Sequence, residues 1–128
     1  MAEPRSDIDG EHLRRVRRIC TALPEVTEKL SHGEPTFFVR KKVFAMFANN
    51  HHGDGRVALW CKAAPGAQED LVAANPKHFF VPPYVGKAGW LGIRLDKGLA
   101  WGIVASLVRD GYLEIAPKTL CGMLVAKP

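Results

Sequence analysis

Much of what would identify a protein chemically is missing from this chain. No run of apolar residues approaches the roughly 18 that a membrane span needs. The opening MAEPRSDIDGEH is acidic and polar, unlike a secretory leader. A cytoplasmic protein without membrane contact is expected. Cysteine is scarce: Cys20, Cys61 and Cys121 are isolated, odd in number and form no CxxC pair. That argues against a disulfide scaffold and suits a reducing compartment. All three read as small buried hydrophobes, not reactive thiols. There is no nucleophile elbow, no carboxylate pair at glycosidase or protease spacing, no phosphate-binding GxxxxGK loop and no cofactor fingerprint. A non-enzymatic protein holding neither metal nor cofactor is expected. Repeats, low-complexity tracts and linkers are also absent. The 128 residues therefore read as one domain, able to bury about two thirds of its unfolded surface. Nothing asks for a dimer, so a monomer is expected.

What is present begins with charge. Lysine and arginine number 18 against 13 acids, a formal net charge of +5. Residues 1–30 balance, as do residues 65–96. Residues 31–64 carry Arg40, Lys41, Lys42, Arg56 and Lys62 against Glu34 and Asp54, a surplus of three. The excess thus gathers on one segment, where it serves solubility or attracts an anionic partner.

Hydrophobic periodicity predicts a first helix over about Asp9–Leu23, with Leu13, Val16, Ile19, Cys20 and Leu23 on one stripe. Asp7 or Asp9 caps it and Pro24 stops it. Arg14, Arg15, Arg17 and Arg18 fall opposite, on a solvated face near their own acids. From Glu28 the texture changes to strands: EKLSH, TFFV, VFAMFAN and RVALWCK, with RKK at one tip and NNHHGDG at another. PGAQEDLVAAN reads as a short helix. HFFV and GWLGIRLD read as strands. A last helix is expected over about Gly98–Arg109, with Leu99, Ala100, Ile103, Val104, Leu107 and Val108 on its apolar face. YLEIAPKTL is expected to leave it as an extended segment. The order α-β-β-β-β-α-β-β-α makes an α+β protein, an antiparallel sheet packed against helices.

NNHHGDGR, Asn49 to Arg56, is the most polar stretch of the strand region. His51 and His52 are adjacent, so regular backbone would point them apart, and no third ligand stands at zinc spacing. Asp54 between Gly53 and Gly55 signals a hairpin tip. His32 and Glu34 in SHGEP are too close in sequence for a proton relay. The aromatics Phe37, Phe38, Phe44, Phe47, Trp60, Phe79, Phe80, Tyr84 and Trp90 supply the core, although adjacent phenylalanines on a strand must face opposite sides.

Several blocks together, GEPTFFVRKKVFAMF, RVALWCK, NPKHFFVPPYVGKAGWLGIRLD and YLEIAPKTL, resemble the YjbR/MmcQ-like family of small bacterial proteins. The resemblance runs from about Gly10 to Leu120 and implies a CyaY-like (frataxin-like) fold. It also implies a double-wing DNA-binding protein whose β-hairpins project onto the duplex. On that reading Arg40, Lys41 and Lys42 form one wing tip. Asn49, His51, His52 and Arg56 form the other, contacting phosphate and sugar of double-stranded DNA with little base reading. Iron handling in the manner of frataxins needs an acidic first helix, and EHLRRVRRIC carries four arginines instead. The alternative is a non-enzymatic ligand- or partner-binding module built on Tyr84, Lys87, Trp90 and Arg94, where an aromatic and a cation could hold an anionic or planar ligand. Whichever reading holds, Trp60→Ala is expected to cost about 3–5 kcal/mol in denaturant unfolding if Trp60 is packed inside. A near-neutral result would place the indole outside.

Overall fold

The computed structural model describes residues 7–125, with side chains from Gly10 to Leu124. The side chains of Asp7 and Asp9, the expected caps of the first helix, lie outside the described residues. Helix α1 (Asp7–Thr21) precedes four strands, β1 (Val26–Ser31), β2 (Glu34–Val39), β3 (Lys42–Asn49) and β4 (Val57–Cys61). Helix α2 (Ala67–Ala74) leads to β5 (Phe79–Phe80) and β6 (Leu91–Arg94), and α3 (Trp101–Ile115) and α4 (Lys118–Val125) close the chain. The order is the expected one with one helix added. All strands join one antiparallel sheet in the order β1-β2-β3-β4-β6-β5.

Turn chemistry sets the register. The β1–β2 loop is His32–Gly33, at φ 54° and 79°, and the β2–β3 loop is Arg40–Lys41, at φ 48° and 70°. Both central residues of each turn are left-handed, which matches the twist of the strands they join. In β3, Phe37 faces Ala45 and Phe38 faces Val43, leaving Phe44 as an extra bulged residue. The bulge resets the alternation, so Phe44 and Ala45 both serve the core while Val43 stays on the opposite face. Phe44 meets Tyr112 edge-on, with ring centroids 5.6 Å apart.

Helices cover one face of the sheet. Val16 and Cys20 of α1 and Val104, Val108 and Tyr112 of α3 pack on Phe37, Phe47, Leu59, Leu91 and Ile93. Arg14 and Arg15 pair with Glu11 on the far side of α1, and Arg17 pairs with Glu28 of β1. The last long helix departs from expectation. It starts three residues later than expected because Gly98 takes a left-handed turn at φ 78°. It then runs through YLEI, which was expected to be extended. Gly111 explains why a glycine is tolerated mid-helix: a Cβ there would run into the carbonyl of Lys62. Its absence lets α3 approach the end of β4 and seats Tyr112, whose hydroxyl donates to Pro24 O at 2.7 Å. Pro117 then separates α3 from α4, where an extended tail was expected. None of the described helices is long and apolar enough to cross a membrane.

Gly111→Ala should improve helix propensity by about 1 kcal/mol. The clash with Lys62 should outweigh it, with net destabilisation of about 1–3 kcal/mol in urea unfolding. A stabilised variant would show that α3 does not need this close approach.

Candidate functional site: an aromatic pocket on the open face of the sheet

The second face of the sheet carries no α-helix among the described residues, yet it is apolar. Ala48, Ala58, Trp60, Phe80 and Trp90 are buried there, with Met46 and Val85 packed against them. Strand alternation accounts for it: β3 and β4 present apolar side chains to both faces. Gly92 of β6 belongs to the same layer, because the Phe80 ring lies where its Cβ would be, 2.5 Å away.

A loop over residues 81–90 folds onto this face. Gln68 of α2 donates from Nε2 to Gly86 O at 2.8 Å and to Trp90 O at 2.5 Å. Lys62 Nζ donates to Ala88 O at 2.6 Å. Tyr84, held at φ 67°, is 79% exposed and brings its ring to 5.9 Å from that of His52. The loop therefore reaches the β3–β4 hairpin tip.

Between loop, tip and strands lies a pocket of about 700 Å³. Thr36, Phe38, Val43, Met46 and Trp60 of the strands form its floor, and Tyr84, Val85 and Trp90 form one wall. Ser31 and His32 of the β1–β2 turn, with His51 and His52 of the tip, complete the rim. Ser31 Oγ and His32 Nδ1 hydrogen-bond at 3.1 Å. A cavity of this size, mostly apolar with a few polar groups, suits a small organic ligand.

The tip itself is a hairpin end, as its Asp-Gly signal implied. Asn50 N donates to Arg56 O, Asn50 Oδ1 accepts from Gly55 N at 2.8 Å, and Asp54 Oδ1 accepts from Arg56 N at 2.9 Å. The two histidines do not point apart. His52 is left-handed at φ 53°, which breaks strand alternation and leaves the rings 4.2 Å apart, both on the pocket. His51 meets Trp60 edge-on at 5.2 Å. Its Nδ1 lies 3.4 Å from Oε2 of Glu34, a carboxylate only 3% exposed that also accepts the Asn49 N–H at 2.9 Å. No cluster of three or more metal-ligating side chains forms among the described residues.

The other candidates disperse. Arg40 forms a two-pronged pair with Glu25 at 2.7 and 2.9 Å, and this guanidinium holds the Glu25 carboxyl below the usual carboxylate range. Lys41 and Lys42 are exposed and make no ion pair among the described residues. Arg56 lies 4.0 Å over the Phe80 ring, and Asn49 sits at the end of β3. The Arg40–Lys42 turn and the Asn49–Arg56 tip are at opposite ends of β3, about 25 Å apart at strand rise. Lys87 borders a separate depression of about 290 Å³ beside Gln68 and Glu114. Arg94 pairs with Asp96 at 3.0 Å. Of the loop residues named from sequence, Tyr84 and Trp90 reach the pocket. Trp60, Met46, Phe38 and Glu34 were not marked as site residues. Their signal was the apolar character of both faces of β3 and β4. Burial pushes the Cys20 and Cys61 thiols up, Cys61 to about 12, whereas Cys121, expected to be buried, is partly exposed.

Known proteins give the same fold. Residues 21–114 match the model of the YjbR family. The crystal structure of Deinococcus radiodurans protein DR2400, which carries a DUF419 domain, superposes with a TM-score of 0.70 at 21% identity, covering 91% of this chain and 88% of that one. No curated protein matches.

Glu34 should act mainly as an acceptor for the Asn49 N–H. Glu34→Ala, which strands that donor, is expected to cost about 1–3 kcal/mol. Glu34→Gln, which keeps an acceptor oxygen, should cost less in the same unfolding measurement. Equal losses would show that the charge, not the acceptor, matters.

Proposed function

The chain belongs to the YjbR family, and we propose that it is a non-enzymatic binding module for a small planar, largely apolar ligand held on the open face of its sheet. One observation carries the reading: a pocket of about 700 Å³ lined by the rings of Phe38, His51, His52, Trp60, Tyr84 and Trp90. Flat rings favour a flat guest, because stacked and edge-to-face contacts add to area burial. The loop wall is pinned by Gln68 and Lys62, so little ordering cost falls on binding.

A second reading, weak binding of double-stranded DNA through basic hairpins, is supported by the exposed pair Lys41 and Lys42 and the local charge surplus. Three observations weigh against it. Arg40 is engaged by Glu25, the two tips are at opposite ends of β3, and the face between them is aromatic where a phosphate-tracking surface would be cationic.

Titrating the protein with naphthalene and with its saturated counterpart decalin tests the first reading. Naphthalene is expected to quench tryptophan fluorescence saturably and decalin is not, and Tyr84→Ala should weaken naphthalene binding without unfolding the exposed loop. Absence of saturable naphthalene binding would sink the proposal. For the second reading, anisotropy of a labelled duplex at about 50 and about 200 mM salt should show orders-of-magnitude loss if several phosphates are contacted. That binding should vanish when charge is reversed at Arg40, Lys41 and Lys42.

A further inference from the structure

Strand β1 borders the carbon-lined pocket with a row of hydrogen-bond donors. Lys29 stands in register with Thr36, a residue of the pocket floor, so the two side chains share the open face of the sheet. Its Nζ lies 5.1 Å over the ring of Phe38, also a floor residue. Lys29 is exposed and forms no ion pair among the described residues. Ser31 follows on the same face, about 7 Å along the strand. Its Oγ shares a hydrogen bond of 3.1 Å with His32 Nδ1, and both residues line the rim. Whichever group donates, one donor is left over. If the hydroxyl donates, the ring keeps its proton on Nε2; if Nδ1 donates, the hydroxyl proton is free; an imidazolium leaves both. Glu28, the acid of the same strand, faces the helices and pairs with Arg17 of α1. The β1 margin of the pocket therefore offers a cation and a second donor.

Resting on the ligand-binding reading above, we infer that the ligand is an aromatic carboxylate, its arene in the pocket and its carboxylate at the β1 margin, with Lys29 as countercharge and the Ser31–His32 pair as second donor. A carboxylate has two accepting oxygens and nothing to donate, which suits a margin made of donors, and its bond to an ammonium is charge-assisted. A neutral amide keeps an accepting oxygen but forfeits the charge. A cationic arene would meet Lys29 as a like charge. Glu34 opposes an anion, but its carboxylate is 3% exposed and turned toward β3, where it accepts the Asn49 N–H. The head group therefore belongs on the β1 side.

The test titrates the full chain with 2-naphthoate, 2-naphthamide and naphthalene at neutral pH, where the acid is ionised, following tryptophan fluorescence. The parent should bind 2-naphthoate about 5- to 10-fold more tightly than the amide, between the values for an exposed ion pair and a charge-assisted hydrogen bond. That preference should shrink as salt is raised, because the ammonium is exposed. Lys29→Met keeps the apolar stem beside Phe38 and removes the charge. It should bring naphthoate and naphthamide close to parity while leaving naphthalene binding unchanged, and Lys29→Arg should retain the preference. Equal affinity of the parent for acid and amide, or a preference undiminished in Lys29→Met, overturns this inference and, with naphthalene bound, leaves the pocket reading standing. If naphthalene does not bind, both fall.

Discussion

The structure depends on covering two faces of a sheet with helices enough for one. Helices α1 and α3 bury Phe37, Phe47, Leu59 and Ile93, and no α-helix of the described residues covers the other side. That side is nevertheless apolar, since Met46, Ala48, Ala58 and Trp60 alternate with the core residues of β3 and β4. The chain answers with a loop. Residues 81–90 fold back over the sheet, fastened by Gln68 and Lys62. A loop covers less than a helix layer does, and the uncovered remainder is the aromatic pocket. The candidate site is in this sense a consequence of incomplete burial, which is how many ligand cavities arise between a rigid scaffold and its connections.

Polar chemistry enters that apolar surface only at its edge, and local backbone geometry governs where. The left-handed turns at His32–Gly33 and His52 bring imidazoles to the rim from two hairpins. Buried Glu34 is tolerable because the Asn49 amide and His51 face it, the compensation a buried carboxylate requires. The same contact orients the His51 ring. Elsewhere several arginines are paired: Arg14 and Arg15 with Glu11, Arg17 with Glu28, Arg40 with Glu25 and Arg94 with Asp96. These pairs are already subtracted in the net charge of +5, and the exposed Lys41 and Lys42 belong to none of them.

Much of the fold was legible. Periodicity located α1, the strands of the meander and the order of elements, because those signals are local. The end of the chain was not. Gly111 looks like a helix breaker in isolation, and only its contact with the Lys62 carbonyl shows why α3 continues to Ile115. The histidines misled for a similar reason: alternation sends neighbours apart only on regular backbone, and His52 is not on one.

By itself the sequence determined the α+β class, the strand-rich middle and the hairpin at NNHHGDGR. It also marked Tyr84 and Trp90 on one side and His51 and His52 on the other, as parts of competing readings. Tertiary structure alone decided that these residues share one cavity. It paired Arg40 with Glu25 and set Glu34 against His51 across 17 residues of chain. The physical reason is range. Propensity, turn chemistry and amphipathic period act over a few neighbours, whereas a pocket is made by strand register and loop closure between segments that sequence proximity does not relate.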